Sequence, residues 1–137
     1  MNDALQDAFS RTIYRVFLPE REIDLRVGEH SPALERSFGG AMWIVFSPGN
    51  PGAKALSASD NARRMADLKA WLGRHHLRHY DAVGLPTPDQ DWAAEASLLI
   101  LDVTDAQARE LAARYDQLAW LAGGGGQPSR LVWSSGV

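Results

Sequence analysis

The stretch Ala41-Met42-Trp43-Ile44-Val45-Phe46-Ser47-Pro48-Gly49-Asn50-Pro51-Gly52, followed by a helix start at Ser57, decides the fold. Met42 to Phe46 is apolar at every position, so the run has no wet face and belongs in the middle of a sheet covered on both sides. Pro48 and Pro51 stop it, because neither can donate to a ladder. Ser57 with Asp60 three residues on is a capping-box type of start. Met65, Leu68 and Leu72 then recur at helical spacing with Trp71 on one flank, and Gly73 suits a helix end. A core strand, a rigid loop carrying one amide and a capped helix are thus joined in one short segment.

Towards the N-terminus, Leu5 and Phe9 predict a short amphipathic helix. Residues 12–18 are β-branched and aromatic, and Ile23, Leu25 and Val27 alternate with Asp24 and Arg26. These two strands pair as a hairpin across the polar turn at residues 19–22. Ser31 before Pro32 starts a helix with Leu34 and Phe38 on its apolar stripe, and Gly39-Gly40 ends it.

Towards the C-terminus, residues 79–85 read as a strand ended by Pro86-Thr87-Pro88, and residues 96–101 as a second buried strand. Thr104 with Gln107 makes another capping box. On the helix that follows, Ala108, Leu111, Tyr115, Leu118 and Ala122 fall within about 80° of one another, a core face. Gly123 to Gly126 closes that helix as a loop, and residues 131–133 form a last short strand. The expected architecture is one α+β domain over residues 1–137. It has a mixed or antiparallel sheet of five to six strands and three to four helices.

A chain of 137 residues with 45% hydrophobic content and five tryptophans can bury a real core. The absence of cysteine removes disulfides, thiolate nucleophiles and sulfur-ligated zinc, and fits a reducing compartment. The first residues show neither a basic nor an apolar signal region, and no apolar run is long enough for a membrane span, so a cytoplasmic protein without membrane attachment is expected. The net charge of −3 has the wrong sign for a dedicated nucleic-acid binder. The charge is uneven, however. Between residues 63 and 78 five cations (Arg63, Arg64, Lys69, Arg74, Arg78) stand against Asp67, whereas residues 81–105 hold six acids and no Lys or Arg. The two blocks are expected to face each other within the fold or across a dimer.

Three constellations carry candidate chemistry. The loop at residues 47–52 presents Asn50 and backbone N–H groups between a strand and a helix N-terminus, where an anion or carbonyl would bind. It lacks the lysine and glycine spacing of nucleotide-binding loops, and the alternative is a pair of turns with Asn50 bonded to its own backbone. Asn61 and Arg64 lie one turn apart on the next helix and could grip a carboxylate or phosphate. The alternative is a solvated face in which Arg63 or Arg64 pairs with Asp67. In Trp92-Ala93-Ala94-Glu95-Ala96-Ser97, Glu95 enters an apolar strand, where an unpaired carboxylate is costly. It is either buried, with a raised pKa and Arg64 as the obvious partner, or hydrated at the rim. His75 and His79 share a face only if the helix survives Gly73, and no H-E-x-x-H completes a metal set. There is no G-x-S-x-G, and Ser47, Ser57 and Ser97 have no companion histidine by motif. Trp43, Trp71, Trp120 and Trp133 suit core or interface positions. Nothing in the pattern calls for a cofactor or a metal.

The order Asn50-Pro51, Leu56-Ser57, Asn61, Arg64, then Trp92, Glu95 and Ser97, then Tyr115, Gln117 and Ala119 resembles the bacterial family designated domain of unknown function 3293. That family has an N-P loop after a strand, S-x-x-x-N opening a helix, W-x-E-x-S entering a strand, and aromatic-x-Q-x-A on the last helix. The resemblance spans about residues 8–133. It departs at Gly49, where a larger residue is expected, at Gly52, and at Ala96, where Pro is common. It implies that Asn50, Asn61, Glu95 and Gln117 matter together, and it implies no reaction. Helical angles put Gln117 off the core face, free to meet Glu95, the loop or water.

Three functions are compatible with these residues. The first is a module binding a small polar ligand or a partner segment, with Asn50, Arg64, Glu95 and Gln117 converging at the sheet edge. The second is an enzyme using Glu95 as general acid or base, with Asn50 or Gln117 steadying an oxyanion. The third is a purely structural network that ties the loop to the sheet.

Overall fold

The computed structural model describes residues 3–90 and 93–134. In chain order these form α1 (Asp3–Arg11), β1 (Ile13–Leu18), β2 (Arg21–Arg26), α2 (Pro32–Phe38), β3 (Trp43–Phe46), a 3-10 turn (Pro51–Ala53), α3 (Ala58–Arg74), β4 (His79–Leu85), β5 (Glu95–Leu101), α4 (Asp105–Tyr115), β6 (Ala119–Gly124) and β7 (Gln127–Trp133). The helix starts follow their caps. The Ser31 and Ser57 hydroxyls accept from the amides of Leu34 and Asp60 at 3.3 and 3.2 Å. Thr104 and Gln107 bond each other reciprocally, at 3.0 Å in both directions. Each such cap satisfies amides that an α-helix leaves without partners at its first turn.

The sheet has seven strands rather than five or six, and every pairing is antiparallel, in the order β2-β1-β4-β5-β3-β6-β7. The additional strand, β6, comes from the region expected to continue α4. Asp116 takes a left-handed conformation, φ 53°, and its amide closes on the Ala112 carbonyl, so the helix ends at Tyr115. Leu118 and Ala122 are therefore not on a helical core face. Residues 119–124 run as β6 and turn through Gly125-Gly126 into β7, which spans seven residues instead of three. Their short apolar run suits helix and strand periods alike, and the left-handed stop at Asp116 with the glycine turn resolves it. α3 continues one residue past Gly73, to Arg74.

β3 sits between β5 and β6, and all four of its residues are buried. The sheet curls until the ends of its edge strands meet. Ser129 of β7 exchanges backbone bonds with Gly28 and Glu29, just after β2, both at 2.9 Å, and its hydroxyl donates to the Arg26 carbonyl at 2.8 Å. The curl creates two cores from alternate residues. Outward residues of β3 and β5 (Ile44, Phe46, Leu98, Ile100) pack under Leu68, Trp71 and Leu72 of α3 and Leu111 and Tyr115 of α4. Inward residues (Val16, Leu25, Val45, Leu99, Leu121) fill the concave side with Trp43, and Leu34 of α2 closes one end. Trp71 and Trp120 belong to the outer core, while Trp133 stacks on Phe9 of α1 with ring centroids 5.4 Å apart.

The two charged blocks do meet. Lys69 pairs with Asp81 and Arg78 with Asp102, both at 3.2 Å, so acids of the later block neutralise cations of the earlier one within the monomer. No described helix is long and apolar enough to cross a membrane.

Candidate functional site

At the end of the curl opposite α2, the loop after β3 is held by amide and guanidinium donors. Asn50 adopts a left-handed conformation, φ 49°, and its side-chain oxygen accepts from the Leu56 amide at 3.0 Å and from Asn61 Nδ2 at 2.8 Å. Asn61 Oδ1 in return accepts from the Asn50 amide at 3.0 Å. Arg64 donates from Nε to the Pro48 carbonyl at 2.5 Å and from Nη2 to the Tyr115 carbonyl. Gln117 Nε2 donates to the carbonyls of Gly49 at 2.7 Å and Tyr115 at 3.1 Å. The loop is thereby strapped to the start of α3 and to the end of α4, and the carbonyls of Pro48 and Gly49 in the loop and of Tyr115 at the end of α4 are satisfied. A Cβ at Gly49 would stand 2.9 Å from Asn61 Oδ1, so the Asn61 side chain would have to give way to one. A larger residue there, as the resemblance leads one to expect, would require Asn61 to shift.

Beside the strapped loop lies a cavity of about 90 Å³, lined by residues at the open ends of β1, β3, β4, β5, β6 and β7 and by Ala8 and Phe9 of α1. Its walls are mainly apolar, with Val45, Leu118, Trp120 and Leu131 among them. The polar groups are Tyr14, Ser47, Asn50, Glu95, Ser97 and Gln117, with Thr12 and Gln90 nearer the mouth. Arg11 anchors α1 over the opening by bonding Asp89 at 2.5 Å and Thr87 at 3.0 Å.

Glu95 opens β5 and is half-buried, with Asn50 Nδ2 at 3.5 Å from Oε2. Burial raises its carboxyl above the usual carboxylate range, and hydrogen bonds from Ser47 and Asn50 offset part of the rise. Burial first, and then the Glu95 charge, push the Tyr14 phenol well above its ordinary value, while a hydrogen bond with Thr12 acts the other way. Tyr14 therefore stays neutral and keeps its proton for donation.

The structure brings Asn50, Asn61, Arg64, Glu95, Ser97 and Gln117 to one end of the sheet, at the ends of its central strands rather than along an edge strand. Trp92 lies outside the described residues. Arg64 is not the partner of Glu95: its guanidinium is engaged by two backbone carbonyls. Nor does it pair with Asp67, which takes Arg114 at 3.2 Å and the Tyr115 hydroxyl at 2.6 Å, while Arg63 pairs with Asp60. Gln117 lies between α4 and β6, not on a helical flank. Ser97 is buried on the inner face and donates to the Glu95 carbonyl at 3.2 Å. His75 caps α3 and stacks on Trp71, whereas His79 starts β4.

Tyr14, Thr12 and Ser47 line the cavity without having been singled out as binding groups. A signal existed for Tyr14. It shares the inward phase of Val16 and Leu18 on β1, so its hydroxyl had to reach either a partner or a cavity.

The sequence profile of the family described as protein of unknown function (DUF3293) matches residues 47–120, more than half of the chain. The chain belongs to that family. The match starts at the loop after β3 and ends in β6, so it contains both the straps and Glu95. No curated protein and no solved structure matches the chain.

Proposed function

We propose that this DUF3293 member is a binding module for a small ligand. Its site is the cavity at the open end of the curled sheet, with Glu95, Tyr14, Ser47 and the Asn50 amide as polar groups. The observation that carries this reading is a half-buried carboxyl facing a cavity with mostly apolar walls. Such a combination resembles general small-molecule sites, where a few placed polar groups orient a ligand held by an apolar surface. Asn61, Arg64 and Gln117 would act through the loop, since their donors are already spent on protein acceptors. A cytoplasmic setting is part of the proposal, motivated by the cysteine-free composition, and a bacterial one by the family resemblance.

The test is an NMR titration of the full chain against a panel of small metabolites. Binding is expected to shift the amides of Tyr14, Val45, Ser97 and Ala119 together, and Ala119→Phe, which fills the cavity, is expected to remove the effect. Ligands that perturb only other surfaces would overturn the reading.

A second reading makes Glu95 a general acid or base, which its upward-shifted pKa favours. That reading has to do without Gln117 as oxyanion donor, because its NH₂ group serves the Gly49 and Tyr115 carbonyls. Only the Asn50 amide group, aimed at Glu95 itself, is left in place. Turnover abolished by Glu95→Gln with ligand binding retained would favour it over simple binding.

A further inference from the structure

We propose that the cavity takes a small primary ammonium with a short apolar body, the ammonium set against Glu95 and the body against the apolar wall. This rests on the binding reading above and names its ligand class. The charge of the lining decides the class. Among the described residues, the cavity is lined by one acid, Glu95, by the phenol of Tyr14, and by no Lys, Arg or His. Each element facing Glu95 is neutral there: β1 contributes Tyr14 with Thr12 just before it, β3 Val45 with Ser47 just after it, β4 Gly84 and β6 Ala119. α1 contributes Ala8 and Phe9, and its nearby cation, Arg11, is held outward by Asp89 and Thr87. Arg64 is turned away to the Pro48 and Tyr115 carbonyls.

A carboxyl walled by apolar groups and lacking a cationic partner gains most from a cation that arrives with its own charge. An anionic ligand would meet the Glu95 charge with no compensating donor of positive charge. A neutral alcohol would gain a hydrogen bond only. An ammonium has three donors, which can meet the carboxyl and the hydroxyls of Ser47 and Tyr14 while its hydrocarbon displaces water from Val45 and Leu131. The cavity, at about 90 Å³, has room for a short branched body.

Proton linkage supplies a second readout. Glu95 holds its proton more tightly than a free carboxyl, so an incoming ammonium displaces that proton. Affinity for the cation should therefore rise with pH through the Glu95 titration, then level until the amine itself loses its proton near pH ~10.

The experiment is a titration of the full chain with isobutylammonium, isobutanol and isovalerate at pH 5 and pH 8, read by NMR at the cavity amides. Isobutylammonium is expected to bind roughly tenfold or more tightly than isobutanol at pH 8, as a charge-assisted hydrogen bond would give. The preference should shrink at pH 5, and isovalerate should bind weakest. Glu95→Gln should bring the ammonium down to the level of the alcohol, with its fold checked by melting. If that variant fails to fold, the selectivity and pH dependence of the unmodified protein decide alone. Equal binding of ammonium and alcohol, or a preference for isovalerate, overturns the cation proposal and leaves the binding reading standing. Failure of all three probes together with the metabolite panel overturns both.

Discussion

A carboxyl that enters a sheet from its open end meets two opposing demands. Solvent stabilises its charge, and the apolar wall around it does not. At Glu95 the wall prevails, and its proton is held more tightly in the folded chain than in the unfolded one. The folded state thus binds more protons, so the contribution of Glu95 to stability is complete below its ordinary pKa of 4.5 and is lost as pH rises through its folded value. Glu95→Gln, which cannot ionise, should melt above the unmodified protein at pH 8. The difference should close as pH falls towards 4.5, which paired melting curves would measure. A constant difference would remove burial as the cause. Asn61 sits at the other extreme, with both halves of its amide used by Asn50. Asn61→Ala leaves the Asn50 amide and part of its side-chain oxygen without partners. It should cost about 1–3 kcal/mol by chemical denaturation, with most of the loss traced to the loop. Unchanged stability would show that the straps do not hold the loop.

At the scale of elements, the hairpin of β6 and β7 is where local pattern and fold compete. Gly124 has φ 111°, a backbone conformation that side chains rarely adopt. A Cβ there would lie 2.4 Å from the Ala41 carbonyl oxygen and 2.7 Å from the Met42 Cα, atoms that cannot move aside without moving β3. Gly124→Ala should therefore destabilise the protein by about 2 kcal/mol or more, combining strain with overpacking. A shift in denaturation midpoint below half of that would mean that β3 yields. The same close approach explains why glycines run through residues 123–126. They let β6 lie against the chain entering β3 and then turn within two residues. α4 ends cleanly before this hairpin because Asp116 turns left-handed, and the Asp116 carbonyl is then free to accept the Gly52 amide at 2.7 Å. The end of α4 and the loop after β3 are thus joined through one backbone bond.

At the scale of the molecule, curling the sheet makes an inside. Ser129 is buried where the edges meet, with its hydroxyl on Arg26 and its backbone on Gly28 and Glu29. Ser129→Ala removes one of those bonds and should cost about 1 kcal/mol. It should also speed hydrogen exchange at the Gly28 amide more than at amides of β3 and β5, because local opening starts where the fewest contacts must break. Uniform exchange changes would show that the seam opens only with global unfolding. Charge pairing works at this scale too. Lys69–Asp81 and Arg78–Asp102 join the basic and acidic blocks within one chain.

Much of this was determined by residue pattern alone. The caps at Ser31, Ser57 and Thr104, the hairpin of β1 and β2, and the apolar β3 follow from local rules, because each depends on atoms within a few residues. The grouping of Asn50, Asn61, Glu95 and Gln117 was legible through the family resemblance, and their contacts required the fold. Tertiary structure decided three matters. It converted the run after Tyr115 from helix to strand, since a short apolar run suits either period, and the left-handed stop at Asp116 together with pairing to β3 and β7 selects the strand. It sent Arg64 to backbone carbonyls rather than to Glu95, because helix ends and loops need donors that their own chain does not supply. It also turned Val45, Ser47 and Asn50 into part of the wall of a cavity, because a concave side exists only once the sheet has curled on itself.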